Sequence, residues 1–109
     1  MPRLTARFWV DAYLTRLRLH DIPAFVVSHG DDTAGSVMVK LNMLNGHARV
    51  FQRSYDLLED QAKWDMTQED VEHEVDATIL RARSRDPDIW VIEVEDRAGR
   101  HLLDTPGLS

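Results

Sequence analysis

The chain has 109 residues, a formal net charge of −6 and no cysteine, which excludes disulfides, thiolate metal ligands and cysteine nucleophiles. With 43% apolar and 29% charged residues, it has the balance of an ordinary globular protein, and no stretch is long enough to span a bilayer. The reading is one domain over residues 1–109, away from membranes, in a cysteine-free composition that fits the cytoplasm.

The charge is unevenly placed. Residues 1–54 carry a net +3 and residues 55–109 a net −9, with nine acids against Lys63 alone between Asp56 and Asp76. Phosphate binding needs a net basic surface, so this chain is a poor default partner for nucleic acid.

Thr5 has the chemistry of an N-cap for a helix running to about His20. Ala6, Trp9, Val10, Tyr13, Leu14 and Leu17 recur at helical spacing as its buried side, and Arg7, Asp11 and Arg18 form a polar stripe. Phe8, Ala12 and Leu19 fall on a third face. A helix this apolar calls for cover on more than one side, from the C-terminal Leu102 and Leu103 or from a second copy of the chain. Ile22 to Ser28 reads as a first strand with Pro23 near its start.

Gly35 to Leu44 and His47 to Arg53 read as two strands joined by a two-residue Asn45-Gly46 turn. Counting outward from that turn places Val39, Leu41, Met43, Ala48 and Val50 on a core face. It places Lys40, Arg49, Phe51 and Arg53 together on an open, basic face. Tyr55 to Met66 is expected to be irregular or a short helical turn anchored by Leu57, Leu58 and Trp64. Thr67 would then cap a second helix with Asp70 in a capping box. Acids crowd the start of that helix and Arg81, Arg83 and Arg85 its end, as the helix dipole favours. Val71, Val75, Thr78, Ile79 and Ala82 make its buried stripe.

Asp86-Pro87-Asp88 stops the helix, and Trp90, Ile92 and Val94 then alternate with Ile89, Val91, Glu93 and Glu95 as a strand. The two glutamates are expected to neutralise the basic face. Arg97 to Arg100 reads as a turn into His101 to Asp104 as a short hairpin strand, and Pro106-Gly107 and the end are expected to fray. The expected architecture is α+β, in the order α-β-β-β-α-β, with two helices on one face of a mostly antiparallel sheet.

Pro87-Asp88 followed by Glu93-Val94-Glu95 resembles the metal-dependent nuclease signature of Pro-Asp, a spacer, then Asp/Glu-x-Lys. Glu95 stands where the lysine belongs. Along one strand Asp88 and Glu93 would lie roughly 16 Å apart, too far to share a metal. His73 has helical ligand spacing to Glu69, Asp70 and Asp76 but no second histidine near it in sequence. No Walker loop, dinucleotide fingerprint or nucleophile elbow occurs. These features assign no catalytic residue, no metal and no cofactor.

Arg7-Phe-Trp-Val10, Val37-Met-Val-Lys40 and Asp86-Pro-Asp-Ile-Trp-Val-Ile-Glu93 together resemble an uncharacterised family of short bacterial proteins, domain of unknown function 1491. The likeness extends over nearly the whole chain. It implies a stand-alone bacterial, cytoplasmic protein and transfers no functional residue.

The leading expectation is therefore a small non-catalytic protein acting through protein contacts, a homodimer being one form of this. Phe8, Leu19 and Trp64 are the candidate contact residues, and the acidic segment 55–76 suits a basic partner. The alternative is an anion, a nucleotide or a single strand bound at Lys40, Arg49, Phe51 and Arg53.

Overall fold

A computed structural model describes residues 5–105; the terminal Pro106-Gly107 expected to fray lies outside them. Helix α1 spans Ala6–Leu19, and strands β1 (Ala24–Ser28), β2 (Val37–Asn42), β3 (His47–Asp56) and β4 (Gln61–Val71) follow. Helix α2 (Glu72–Arg85) and strand β5 (Trp90–Glu95) complete the chain. The five strands form one sheet in the order β1-β5-β2-β3-β4. β5 runs parallel to β2, and every other neighbouring pair is antiparallel. The fold is α+β in the expected order, with one strand added and a mixed sheet.

Helix α1 starts where its sequence says it should: the Thr5 hydroxyl accepts from the Phe8 amide at 3.2 Å. Trp9, Val10, Tyr13 and Leu17 are buried on the face that packs with Val39, Leu41, Trp90, Ile92 and Val94. On the opposite face of the sheet Val75 and Ile79 of α2 pack with Met38, Ala48, Val50 and Val91. The helices therefore cover opposite faces, not one. Both faces of the central strands carry apolar residues, Val39, Leu41, Ile92 and Val94 on one and Met38, Val50 and Val91 on the other, so both need cover. Ile89 and Val91, outside the set expected to face the core, complete the second core.

Residues 55–71 differ from the expectation as well. The irregular segment and the Thr67-capped helix are absent; β3 continues to Asp56 and β4 returns beside it. Ten residue pairs, from His47↔Val71 to Asp56↔Gln61, align the two strands. This pairing satisfies backbone groups that a capping box would otherwise have to serve. β4 is an edge strand whose exposed positions are polar apart from Met66, and its acidic sequence reads misleadingly as a helix start. α2 begins at Glu72, whose amide donates to the Gly46 carbonyl at 2.8 Å. Its acidic first turn and basic last turn are as expected.

The β2–β3 hairpin departs from the expected register by one residue. Met38 pairs with Gln52, Val39 with Phe51, Lys40 with Val50 and Leu41 with Arg49. The Met43 amide donates to the His47 carbonyl at 3.1 Å, closing a loop of three residues, Leu44-Asn45-Gly46. Leu44 and Gly46 both take positive φ, 61° and 91°. The Asn42 side chain accepts from the Leu44 amide, and that of Asn45 from the His47 amide. One extra loop residue shifts the register by one, and a one-residue shift reverses every facing assignment across the hairpin.

After β5, Asp96 organises the turn to Arg100: its carboxylate accepts from the Arg100 amide at 2.7 Å and from the guanidinium at 2.9 Å. The hydrogen bond from Arg100 is the main reason its carboxyl is held below the usual range. Residues 101–105 are not a strand. Tyr13 donates its hydroxyl to the His101 carbonyl at 2.7 Å, and Leu103 is buried in the α1 core. The C-terminal tail thus supplies part of the cover that α1 required. Among the described residues no helix is long and apolar enough to cross a membrane.

Candidate functional site

The basic face expected from the sequence is divided by the hairpin register. Lys40 projects towards α2, whereas Arg49, Phe51 and Arg53 project to the α1 side, paired or aligned with Leu41 and Val39. Nothing brings the four side chains to one surface.

Lys40 is only 4% exposed. Its ammonium donates to Asp76 at 2.7 Å and to Glu72 at 3.0 Å, and stands 3.3 Å from Glu93. Asn42 closes the network, donating to Glu72 at 2.8 Å and to Glu93 at 3.3 Å. Burial pulls the Lys40 pKa down, but the hydrogen bonds to Asp76 and Glu72 and the charge of Glu93 outweigh it and hold the pKa above the ordinary lysine value. Three carboxylates around one ammonium leave a surplus of negative charge, so this cluster repels anions. Glu93 thus neutralises Lys40 as the sequence suggested, on the face opposite to Arg49 and Arg53.

Glu72 and Asp76 were missed as members of this network. The signal was present, since both lie along the same side of α2 as Val75 and Ile79. Acids beside a buried stripe call for a buried cation, and Lys40 in the apolar run Val37-Met-Val-Lys-Leu41 is that cation.

On the α1 side, Arg49 pairs through its Nε with Glu69, its neighbour across β3 and β4. The Arg53 guanidinium lies over the Trp9 and Trp64 rings, 5.2 and 5.3 Å from their centroids. Trp64 packs on Trp9 at 5.1 Å, so it serves the core more than an outside partner. Phe51 is buried beneath His101, their ring centroids 4.4 Å apart. An open cleft of about 300 Å³ is lined by Phe51, Lys63, Trp64, His101, Asp104 and Thr105, among others.

His101 is the one titratable group in this cleft with a defined tautomer. Its Nδ1 accepts from the Leu103 amide at 3.0 Å, which places the proton of the neutral ring on Nε2. Burial lowers its pKa; Asp104 acts the other way and Arg49 in the same direction. A neutral imidazole against a phenyl ring, without a hydroxyl or thiol bonded to it, can hold a small group but supplies no nucleophile–base pair. Elsewhere His29 contacts Asp32 at 2.8 Å and stacks on Trp90 at 4.1 Å, in an exposed position. His73 stands beside Glu74 at 3.3 Å. Among the described residues no three His, Cys, Asp or Glu side chains are grouped to hold a metal ion.

Among the described residues none covers the third face of α1. Phe8 is 59% and Leu19 78% exposed, and Ala12 and Thr15 between them are exposed as well. At positions i, i+4, i+7 and i+11 these four make a single stripe along the helix. A second apolar feature sits at the tip of the β3–β4 hairpin, where Leu57 and Leu58 are 84% and 95% exposed beside Glu59 and Asp60. The hairpin reaches beyond β2, which pairs with β3 only as far as Gln52.

A family model described as a protein of unknown function (DUF1491) matches residues 4–104. The crystal structure of a DUF1491 family protein from Caulobacter crescentus CB15 is 38% identical, with a TM-score of 0.85 over 95% of this chain and 98% of that one. An NMR structure of a DUF1491 family protein from the same organism is 37% identical, with a TM-score of 0.81 and 97% of each chain covered. A protein from A. tumefaciens, solved in solution, shares the fold at 22% identity, with a TM-score of 0.73 and 86% of each chain covered. Among curated proteins none matches this chain.

Proposed function

This chain belongs to the DUF1491 family, and from that premise we propose that it works through contacts with other proteins, without catalysis, the outer face of α1 carrying those contacts. The observation behind this reading is the exposed Phe8–Leu19 stripe on a helix whose other side is already committed to the core. Contiguous exposed apolar surface on a small protein marks an interaction site more often than isolated apolar residues do. The acidic hairpin tip with Leu57 and Leu58 supports a further contact with a basic protein. Self-association is the simplest form of the α1 contact.

The same reading places the protein in the bacterial cytoplasm. The bacterial source of the similar Caulobacter structures supports the first part, and a cysteine-free chain suits a reducing compartment.

A photo-crosslinking amino acid in place of Leu19, introduced in living bacterial cells, tests the proposal. A discrete protein adduct is expected there, and none from the same probe at Arg85, at the far end of α2. If Leu19 yields no adduct at native expression levels, the α1 contact is wrong.

A further inference from the structure

We infer that the outer stripe of α1 pairs with the same stripe of a second copy, the two helices antiparallel about a two-fold axis between Ala12 and Thr15. This rests on the protein-contact reading and names its partner. The stripe is self-complementary. In an antiparallel pair centred there, Phe8 stands opposite the partner's Leu19, and Ala12 opposite the partner's Thr15. The large residues sit at the ends of the contact and the small ones at its centre, where two helix backbones must approach closest. Thr15 can enter an apolar contact without leaving its hydroxyl donor unpaired, because the hydroxyl already donates to the Asp11 carbonyl at 2.9 Å.

The charges agree with the same arrangement. At about 100° per residue, Asp11 and Arg18 both lie on one flank of the stripe. A two-fold axis perpendicular to the helices brings that flank against its own copy, so Asp11 of each chain meets Arg18 of the other within a turn of helix. Asp11 is exposed and has only a loose 3.8 Å contact with Arg7; Arg18 is exposed and makes no ion pair among the described residues. A parallel pair would instead bring this flank against the opposite flank of its copy, setting Arg18 near the partner's Arg16. Antiparallel pairing also opposes the two helix dipoles favourably. A single helix pair buries less than a standard interface, so the dimer should be weak, with a Kd on the order of 10–100 µM.

Sedimentation velocity over a concentration series provides the first measurement. The mass should rise from the 12.6 kDa of one chain towards twice that value. A Phe8→Glu/Leu19→Glu variant should remain monomeric with an unchanged circular dichroism spectrum and urea midpoint, since both positions are exposed. Asp11→Arg and Arg18→Asp should each weaken the dimer about threefold or more, and their combination should restore it. Because the chain has no cysteine, engineered thiols report the register: Ala12→Cys mixed with Thr15→Cys should form an oxidised cross-link. Leu19→Cys alone should not, being about 16 Å from its own copy.

A monomer at every concentration overturns the second copy as partner, whereas an adduct at Leu19 in cells would still uphold the protein-contact reading. A dimer that survives Phe8→Glu/Leu19→Glu, or that links through Leu19→Cys, overturns this arrangement.

Discussion

Lys40 is withdrawn from solvent on β2, yet Asp76, Glu72 and Glu93 all reach its ammonium. Removing the cation leaves three carboxylates facing one another. Lys40→Met should therefore destabilise the fold by about 2–4 kcal/mol, below the full cost of breaking a buried pair because Glu72 and Asp76 are partly solvated. Urea unfolding measures this directly. His101 makes a pH-dependent contribution of the opposite chemical kind. Its pKa in the fold lies below its ordinary 6.5, so the unfolded chain takes up the proton first as the pH falls. The contribution is complete above about pH 6.5 and disappears as the pH drops through the lower folded value. Comparing His101→Gln with the parent chain by urea midpoint from pH 7.5 to 5 should show that part of the slope removed.

At the level of elements, the Leu44-Asn45-Gly46 loop determines which face each hairpin side chain meets. Gly46 has φ +91°, and a Cβ there would meet nothing within 4 Å. Gly46→Ala should consequently cost about 1 kcal/mol through backbone strain alone, with no rearrangement of the second core. A larger loss would mean that the side chain is clashing. At the far end of the same hairpin Leu57 is exposed. Leu57→Ser should alter stability by less than about 0.5 kcal/mol, because no core contact is lost. Thermal unfolding of the two variants separates a loop that specifies register from a tip that is free to serve partners.

For the whole molecule, the sheet separates two cores, one under α1 with the C-terminal tail and one under α2. Tyr13 connects the first core to that tail through the His101 carbonyl. Tyr13→Phe should leave the ring packing intact and cost about 1 kcal/mol for the lost hydrogen bond, more if the carbonyl remains buried and unmatched. Hydrogen exchange should report the change in residues 101–105 before it reaches the second core, since the sheet lies between them.

Several features were legible in the amino-acid sequence: the Thr5 cap, the buried side of α1, the Trp90–Ile92–Val94 face of β5 and the placing of Phe8, Ala12 and Leu19 on a third face of α1. Each follows from local spacing, because a helix or strand alternates its faces whatever surrounds it. The expected ligand face around Lys40, Arg49, Phe51 and Arg53 was not legible, because Asn45-Gly46 is compatible with a two- or a three-residue loop. Only the pairing of complete strands selects between them, and that one residue sends Lys40 to α2 and Arg53 to Trp9. Strand β4 was hidden for a similar reason: a polar edge strand has little hydrophobic alternation, and ten cross-strand pairs with β3 decide its form. Local chemistry determined the faces of the elements; long-range pairing decided which faces meet.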